Sequence, residues 1–306
     1  MSESNLMKTI KNLFLAAILL IGAGHALADE EILKPFVLGS KGPGTLEQKA
    51  EAAKTALTAN GFTVVGSYAP YPDAEVIIVT SDELKSNAAN SEHGGFGAIQ
   101  RVAVTKVKNE IQVSYTNPVY MANVYRMKDD LKGVRAKLEA ALGRVEDFGA
   151  QGMTASKARK YHYMIGMEYF DEPSLLASYS SHDEAVKAVE KGLAAADKTG
   201  LSKVYRVDVP GKQEVLFGVG MKAATEAQKY MDDKFIMSEI DFHDLKSTAH
   251  LPYEVLVSGK DIYALYARFR IAIDFPDLSM MGSNSFMNIM STPEAIRKVL
   301  QQAVNP

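Results

Sequence analysis

Methionine and histidine supply the first candidates for chemistry, because this chain of 306 residues has no cysteine. Four of its 14 methionines fall in the run Met280-Met281-x5-Met287-x2-Met290. Met164 and Met167 lie close to His162 in the segment YHYMIGMEYF. A thioether is a soft donor that suits Cu(I), and a chain without thiols must build such a site from Met and His. His250 opens the segment HLPYE, with His243 just before it. If the following strand pair folds back on the loop after Pro276, His250 comes within reach of Met280 or Met281. His162, His250, Met280 and Met281 are therefore candidate metal ligands, with copper as the metal. The competing reading is packing. Methionine fills irregular gaps in a core, and Met287 and Met290 stand at helical spacing beside Phe286 and Ile289.

A second candidate is a pair of arginines. Ile262 to Phe275 reads as a long strand with Tyr263, Leu265, Ala267, Phe269, Ile271, Ile273 and Phe275 on one face. Tyr266, Arg268, Arg270 and Asp274 then share the other face. Two guanidinium groups beside a tyrosine suit a carboxylate or phosphate, held bidentately. Tyr266, Arg268 and Arg270 are accordingly candidate ligand-binding residues. The alternative is a solvated face whose arginines pair with Asp or Glu.

Several chemistries are absent by motif. There is no G-x-S-x-G elbow, no H-E-x-x-H and no G-x-x-x-x-G-K-[ST]. Gly39 to Gly44 is glycine-rich but lacks the Lys-Ser/Thr end of a phosphate loop. Without cysteine there are no thiol nucleophiles, no redox pairs and no iron–sulfur ligands. With 34 basic against 37 acidic residues, the charge is close to balance. That gives no electrostatic footprint for nucleic acid.

The elements that must position these residues follow from the hydrophobic pattern. Thr45 and Gln48 form a capping box, and Leu46, Ala50, Ala53 and Leu57 give a helix one apolar face up to Asn60-Gly61. Phe62–Tyr68 and Val76–Val79 read as strands, and Ser81 caps a short helix through Leu84. Two alternating strands around Lys108-Asn109-Glu110 end at Asn117-Pro118, and an amphipathic helix runs from Met127 to Leu142. The second half uses the same grammar. A helix opens at Ser181, with strands at Val204–Val209 and Val215–Val219. A polar insertion covers 221–234. The short segment Asp244-Leu245-Lys246-Ser247 answers Glu83-Leu84-Lys85-Ser86. Strands from Tyr253 end at Phe275-Pro276, and a last helix opens at Ser291. The order recurs at an offset of about 160 residues, as in an internal repeat.

The start of the chain reads as a leader. Lys8 and Lys11 precede the apolar run Leu13 to Ile21, and Ala26-Leu27-Ala28 is followed by Asp29, Glu30 and Glu31. This is the pattern of a cleavable signal peptide over residues 1–28, which places the mature protein in the periplasm or outside the cell. The run falls short of the roughly 20 residues of a membrane span, and no later segment is one.

The first half resembles the bacterial family called domain of unknown function 302. The resemblance rests on the helix Thr45 to Gly61 leading into GFTVV, then GGFGAIQRVAV and EIQVSYTNP, over about residues 45–127. HLPYEVLV and AIDFPDL stand at the corresponding places of a divergent second copy. The resemblance implies a compact two-layer α+β fold and implies no particular activity.

Together these readings predict an α+β protein made of two related two-layer domains, with helices packed on mainly antiparallel sheets. The repeats are 29–143 and 161–306, joined by a linker at 144–160, and the second ends in the C-terminal helix. The predicted site is the junction of the halves, built from YHYMIGMEYF, the His250 strand and the loop after Pro276. The predicted function is an exported, non-catalytic binding protein for a soft metal or a small anionic or apolar molecule. The alternatives are an enzyme using His162 or His250 as acid/base and an interaction module of an envelope complex. Production of the whole chain in an exporting host is expected to yield a mature protein starting at or near Asp29. N-terminal sequencing that returns Met1 or Ser2 from the exported fraction contradicts the leader.

Overall fold

The chain folds as α+β, with helices packed on antiparallel sheets, in a computed structural model that describes residues 30–164, 166–195 and 200–305. The expected leader, residues 1–28, lies outside the described residues. The elements of the first half are β1 (Ile32–Leu33), β2 (Phe36–Gly42), α1 (Leu46–Ala59), β3 (Thr63–Tyr68), β4 (Ala74–Thr80), α2 (Asp82–Ala89), β5 (Gln100–Val107), β6 (Glu110–Thr116), α3 (Pro118–Val124), α4 (Lys132–Leu142), β7 (Glu146–Phe148), β8 (Met153–Thr154) and α5 (Ala155–Ala158). There follow β9 (Ser174–Ser178), α6 (His182–Ala194), β10 (Leu201–Val209), β11 (Glu214–Met221), α7 (Asp233–Ile240), β12 (Tyr253–Ser258), β13 (Asp261–Ala264), α8 (Ala267–Asp274) and α9 (Thr292–Ala303).

Local chemistry starts these elements where the sequence indicates. Thr45 accepts from the Gln48 amide and the Gln48 side chain accepts from the Thr45 amide, so two backbone donors at the start of α1 are satisfied. Ala50, Ala53 and Leu57 are its buried face, and Gly61, at φ +84°, turns the chain into β3. Ser81 caps α2 and Ser181 caps α6 by accepting from the Leu84 and Glu184 amides.

Two open antiparallel sheets result. The first has the order β3-β4-β5-β6-β2-β7 and the second β10-β11-β12-β13-β9. The first five strands of the one and the five of the other are wound alike: β2-α1-β3-β4-α2-β5-β6 runs parallel to β9-α6-β10-β11-α7-β12-β13. Matching positions also touch. Gly66 is the fourth residue of β3 and Val204 the fourth of β10; a Cβ on Gly66 would lie 2.6 Å from the Val204 carbonyl oxygen. Only glycine allows that approach. Arg101 and Glu254, each the second residue of its strand, form an ion pair. The tetrapeptides aligned in the sequence are not at matching places, however. Glu83–Ser86 lies inside α2, whereas Asp244–Ser247 follows the end of α7. The helix answering α2 is α7, which begins inside the polar stretch 221–234. Residues 144–160 carry β7, which pairs with β2, and β8, which pairs with β1.

Period-2 alternation divides the second sheet between two cores. Val215, Phe217, Val219, Val255 and Val257 pack with α6, α7 and α9. Leu216 and Leu256, on the opposite face, join the core of the first half with Tyr205, Val207 and Val209. The layers therefore run helix, sheet, sheet, helix, and Ile32–Pro306 is one compact unit. Where the sheets face each other the layer is unusually polar. Thr105 donates to the Thr248 hydroxyl, and Gln112 and Ser114 donate to the carbonyls of Asp244 and Lys246.

At the centre of this layer Glu254 pairs with two arginines, Arg101 of β5 and Arg270 of α8, all three almost wholly buried. Arg270 also donates to the His250 carbonyl and lies 3.8 Å from Asp274. Two guanidinium groups and two carboxylates thus balance in charge where water does not reach. Burial opposes the charge of both arginines. At Arg101 the neighbouring Arg270 adds to this and the pKa is lowered; at Arg270 burial is outweighed by Tyr125, Asp274 and other acidic groups and the pKa is raised.

Removing one member of such a cluster leaves uncompensated charge in the interior. Glu254→Gln is expected to cost about 3–5 kcal/mol in urea unfolding. Glu190→Gln, which breaks the half-exposed pair with Arg206, is expected to cost about 1 kcal/mol or less. Equal losses would refute the central role of Glu254.

Candidate functional site

Helix α8 decides where the candidate residues go. The sequence pattern predicts one strand from Ile262 to Phe275. The structure ends the strand at Ala264 and makes Ala267–Asp274 a helix. Alternating apolar residues satisfy a strand, but Ala267, Ile271 and Phe275 also recur at helical spacing. The helix is wedged between the cores, with Ala267 and Ile271 in the second and Phe269 and Ile273 in the first. Tertiary packing on both sides overrides the strand preference of the β-branched residues.

The correction separates the three residues expected on one anion-binding face. Arg270 turns inward to Glu254 and is 1 % exposed. Arg268 turns outward, pairs bidentately with Glu168 and lies over the Tyr266 ring at 5.4 Å. Tyr266 precedes the first turn of the helix. Arg268 and Arg270 are each committed to a different carboxylate.

His250 is also placed differently. It is fully buried, with Nδ1 2.6 Å from Asp274 Oδ2 and Nε2 3.0 Å from the Tyr253 hydroxyl. The Phe275 ring meets its edge at 5.3 Å. Burial pushes its pKa below the usual histidine value, against the pull of Asp274. Both ring nitrogens are occupied, so it cannot ligate a metal or exchange protons with a substrate without breaking these bonds. His162 is on the surface, its Nδ1 2.9 Å from the Met164 carbonyl and its ring 4.5 Å from that of Tyr169. Met281 is 72 % exposed and Met280 40 %. The set His162, His250, Met280 and Met281 is therefore not assembled. Among the described residues, no three His, Cys, Asp or Glu side chains cluster so as to hold a metal ion.

What α8 does assemble is an apolar pocket. Arg268, Phe269, Ile271 and Ala272 of α8, with Phe275 just after it, form one wall. Leu278, Met280 and Phe286 of the loop after Pro276 form the second, and Tyr163, Met167 and Glu168 the third. With its open mouth the hollow has a volume of about 500 Å³, little of it enclosed. The lining is almost all carbon and sulfur, and the Arg268–Glu168 pair supplies the charge at its edge. Tyr161 braces the wall by donating to the Ala272 carbonyl at 3.0 Å. Of the candidate metal and ligand-binding residues, Arg268 and Met280 line this pocket, as does Met167, noted in the sequence beside His162. His162 lines a shallow hollow next to it, sharing Met167 and Glu168.

Sequence reasoning missed Arg101 and Glu254, and it put Asp274 on the arginine face where the structure sets it against His250. A signal was present for Arg101 and Glu254: each is a lone charge set in an apolar stretch, as in QRVAV and PYEVLV, and both faces of those strands are buried. It also missed Asp233 at the start of α7. Tyr68 donates to Asp233 Oδ2 at 2.6 Å and the Met221 amide at 2.9 Å, while Oδ1 is buried without a partner. Burial raises its pKa to about 7, although those two hydrogen bonds favour the ionised form. Asp241, at the other end of α7, is likewise raised to about 7 by burial. Compared with known proteins, the chain matches no family model, no curated protein and no solved structure. Among the described residues no helix is long and apolar enough to cross a membrane.

The two aspartates set a pH dependence. Each binds its proton more tightly folded than unfolded, so the stability this gives is fully present below about pH 4 and is lost as pH rises to about 7. Melting temperature is expected to fall across this window beyond what other groups impose. Asp233→Asn should flatten the fall in part, and adding Asp241→Asn should flatten it further. Parallel curves for all three proteins would rule the assignment out.

Proposed function

We propose that the chain is an exported, non-catalytic binding protein that holds a small apolar molecule in the pocket beside α8. One observation carries the reading: three separate segments turn apolar side chains into one hollow at the protein surface. Ligand sites are concave, mostly apolar and provided with a few polar groups that fix orientation. Here the pocket supplies the apolar part and Arg268 and Glu168 the polar part. Met167 and Met280 suit a site that must reshape around its occupant, because the methionine side chain is unbranched and adaptable. The tight Arg268–Glu168 pairing favours a neutral ligand, since a carboxylate would have to displace Glu168 from Arg268. His250, the candidate acid/base, is sealed behind Phe275, which weighs against a reaction at this pocket.

Two further proposals accompany this one. The leader pattern over residues 1–28 supports export to the periplasm or beyond. The common winding of the two sheets supports descent of both halves from one ancestral unit, and the quoted segments relate that unit to domain of unknown function 302.

The neutral fluorophore N-phenyl-1-naphthylamine serves as a probe. Saturable enhancement of its emission is expected with the folded protein. Ala272→Phe, which places a ring in the pocket, should abolish the enhancement, whereas Leu175→Ser, at an exposed site on β9, should leave it unchanged. The reading fails if the probe does not bind, or if the Ala272→Phe protein binds it as well as the parent.

A further inference from the structure

The methionines after Pro276 do not behave as core residues. Phe286 packs against the second core, and Ile289 is fully buried in it. Met287 and Met290, one position further on in each case, are 49 % and 61 % exposed. With Met280 and Met281, four thioethers stand at the surface within 11 positions. Large apolar side chains are ordinarily buried. Here the aromatic and branched residues of the segment are used for packing and the thioethers are not.

The backbone gathers them. Gly282, at φ +103°, and Asn284, at φ 51°, reverse the chain. The Phe286 amide donates to the Ser279 carbonyl at 2.8 Å and the Met287 amide to the Met280 carbonyl at 3.2 Å. Met280 and Met287 are thus neighbours across the turn. The Phe286–Ile289 segment is a 3-10 turn capped by Met290, whose amide donates to the Met287 carbonyl at 3.4 Å. Positions three apart on such a turn fall on one face, which puts Met287 and Met290 on the same side of it. Met281 is the residue next to Met280. The hydroxyl of Ser279 donates to the Met281 carbonyl and that of Ser285 to the Gly282 carbonyl, both at 2.8 Å, which fixes the loop.

The surroundings do not oppose a cation: Arg268, which lines the pocket together with Met280, is paired with Glu168. Leu278 to Ser291 contains no charged residue. The nearest carboxylate in the hydrogen-bond network is Glu239, to which Asn288 donates at 2.7 Å. No Lys or Arg of the segment opposes a positive ion. The donor atoms are thioether sulfurs, which select soft metals and not Zn²⁺, Ca²⁺ or Mg²⁺.

We propose that Met280, Met281, Met287 and Met290 form a methionine-only site for a soft monovalent cation, Cu(I) or its analogue Ag(I). Three thioethers complete a trigonal shell for such an ion, and the flexible side chains close on it without moving the backbone. Met280 is shared with the apolar pocket, but the other three are not, so this site stands independently of the pocket.

Silver(I) is the probe, read from the ε-methyl signals of methyl-labelled methionine. One equivalent is expected to move the signals of Met280, Met287 and Met290, with or without Met281, and to leave those of the buried Met121, Met221 and Met237 in place. Single Met→Leu variants assign the signals. In the triple variant Met281→Leu, Met287→Leu, Met290→Leu, affinity for Ag(I), and for Cu(I) in competition with bicinchoninate, should drop by about tenfold or more. The triple variant's far-UV circular dichroism and its binding of N-phenyl-1-naphthylamine should both match the parent, which separates loss of the metal site from loss of fold or of the pocket. Signals that stay fixed in excess Ag(I), or equal affinity in the triple variant, would overturn the proposal.

Discussion

Glu254 carries one negative charge between two guanidinium groups in a place that water does not reach. Each partner comes from a different part of the chain: Arg101 from the first sheet, Glu254 from the second and Arg270 from the helix between the two cores. Desolvating three charges is costly, and only the mutual pairing and the added hydrogen bonds offset it. A sandwich of two sheets with purely apolar inner faces could slide or pack in several registers. With this cluster at its centre the sheets have one relative placement that leaves no charge unpaired. The Gly66–Val204 approach on the edge strands β3 and β10 then lets the backbones close at that placement.

The position of α8 follows from the same cluster. Arg270 must reach Glu254, and Asp274, one turn later, must reach His250. These two inward contacts fix the rotation of the helix about its axis. Arg268 is then left toward the surface, and the loops from 163 and 278 meet the helix between it and Phe275. The pocket is the outer consequence of an inner electrostatic arrangement. His250 belongs to the inner side: it links α8 to Tyr253 of β12 and contributes to structure.

The two proposed sites divide the segment after Pro276 by residue type. Leu278, Phe286 and Ile289 serve the apolar interior, and Met280 stands where the interior meets solvent. Met281, Met287 and Met290 stand outside it. That division is a matter of backbone phase in a short 3-10 turn, and a shift of one residue would exchange the roles of Phe286 and Met287.

By itself the sequence determined the local elements and the general class. The capping box at Thr45, the serine caps at Ser81 and Ser181, the apolar runs of β4, β11 and β12 and the alternation in β5, β6 and β10 are short-range physics that each segment carries alone. The recurring order of elements also pointed to an internal repeat, although the tetrapeptide match fell at places that do not correspond. Tertiary structure decided the rest. Whether Ala267–Asp274 is strand or helix depended on being packed from both sides, because its apolar residues satisfy both periods. Which arginine turns inward, and whether His250 is reachable, depended on the partner charges 16 and 24 residues away in sequence and on the pairing of Glu254 with Arg101, 153 residues before it. Pairings of that range are set by how the sheets stack, which no local pattern encodes.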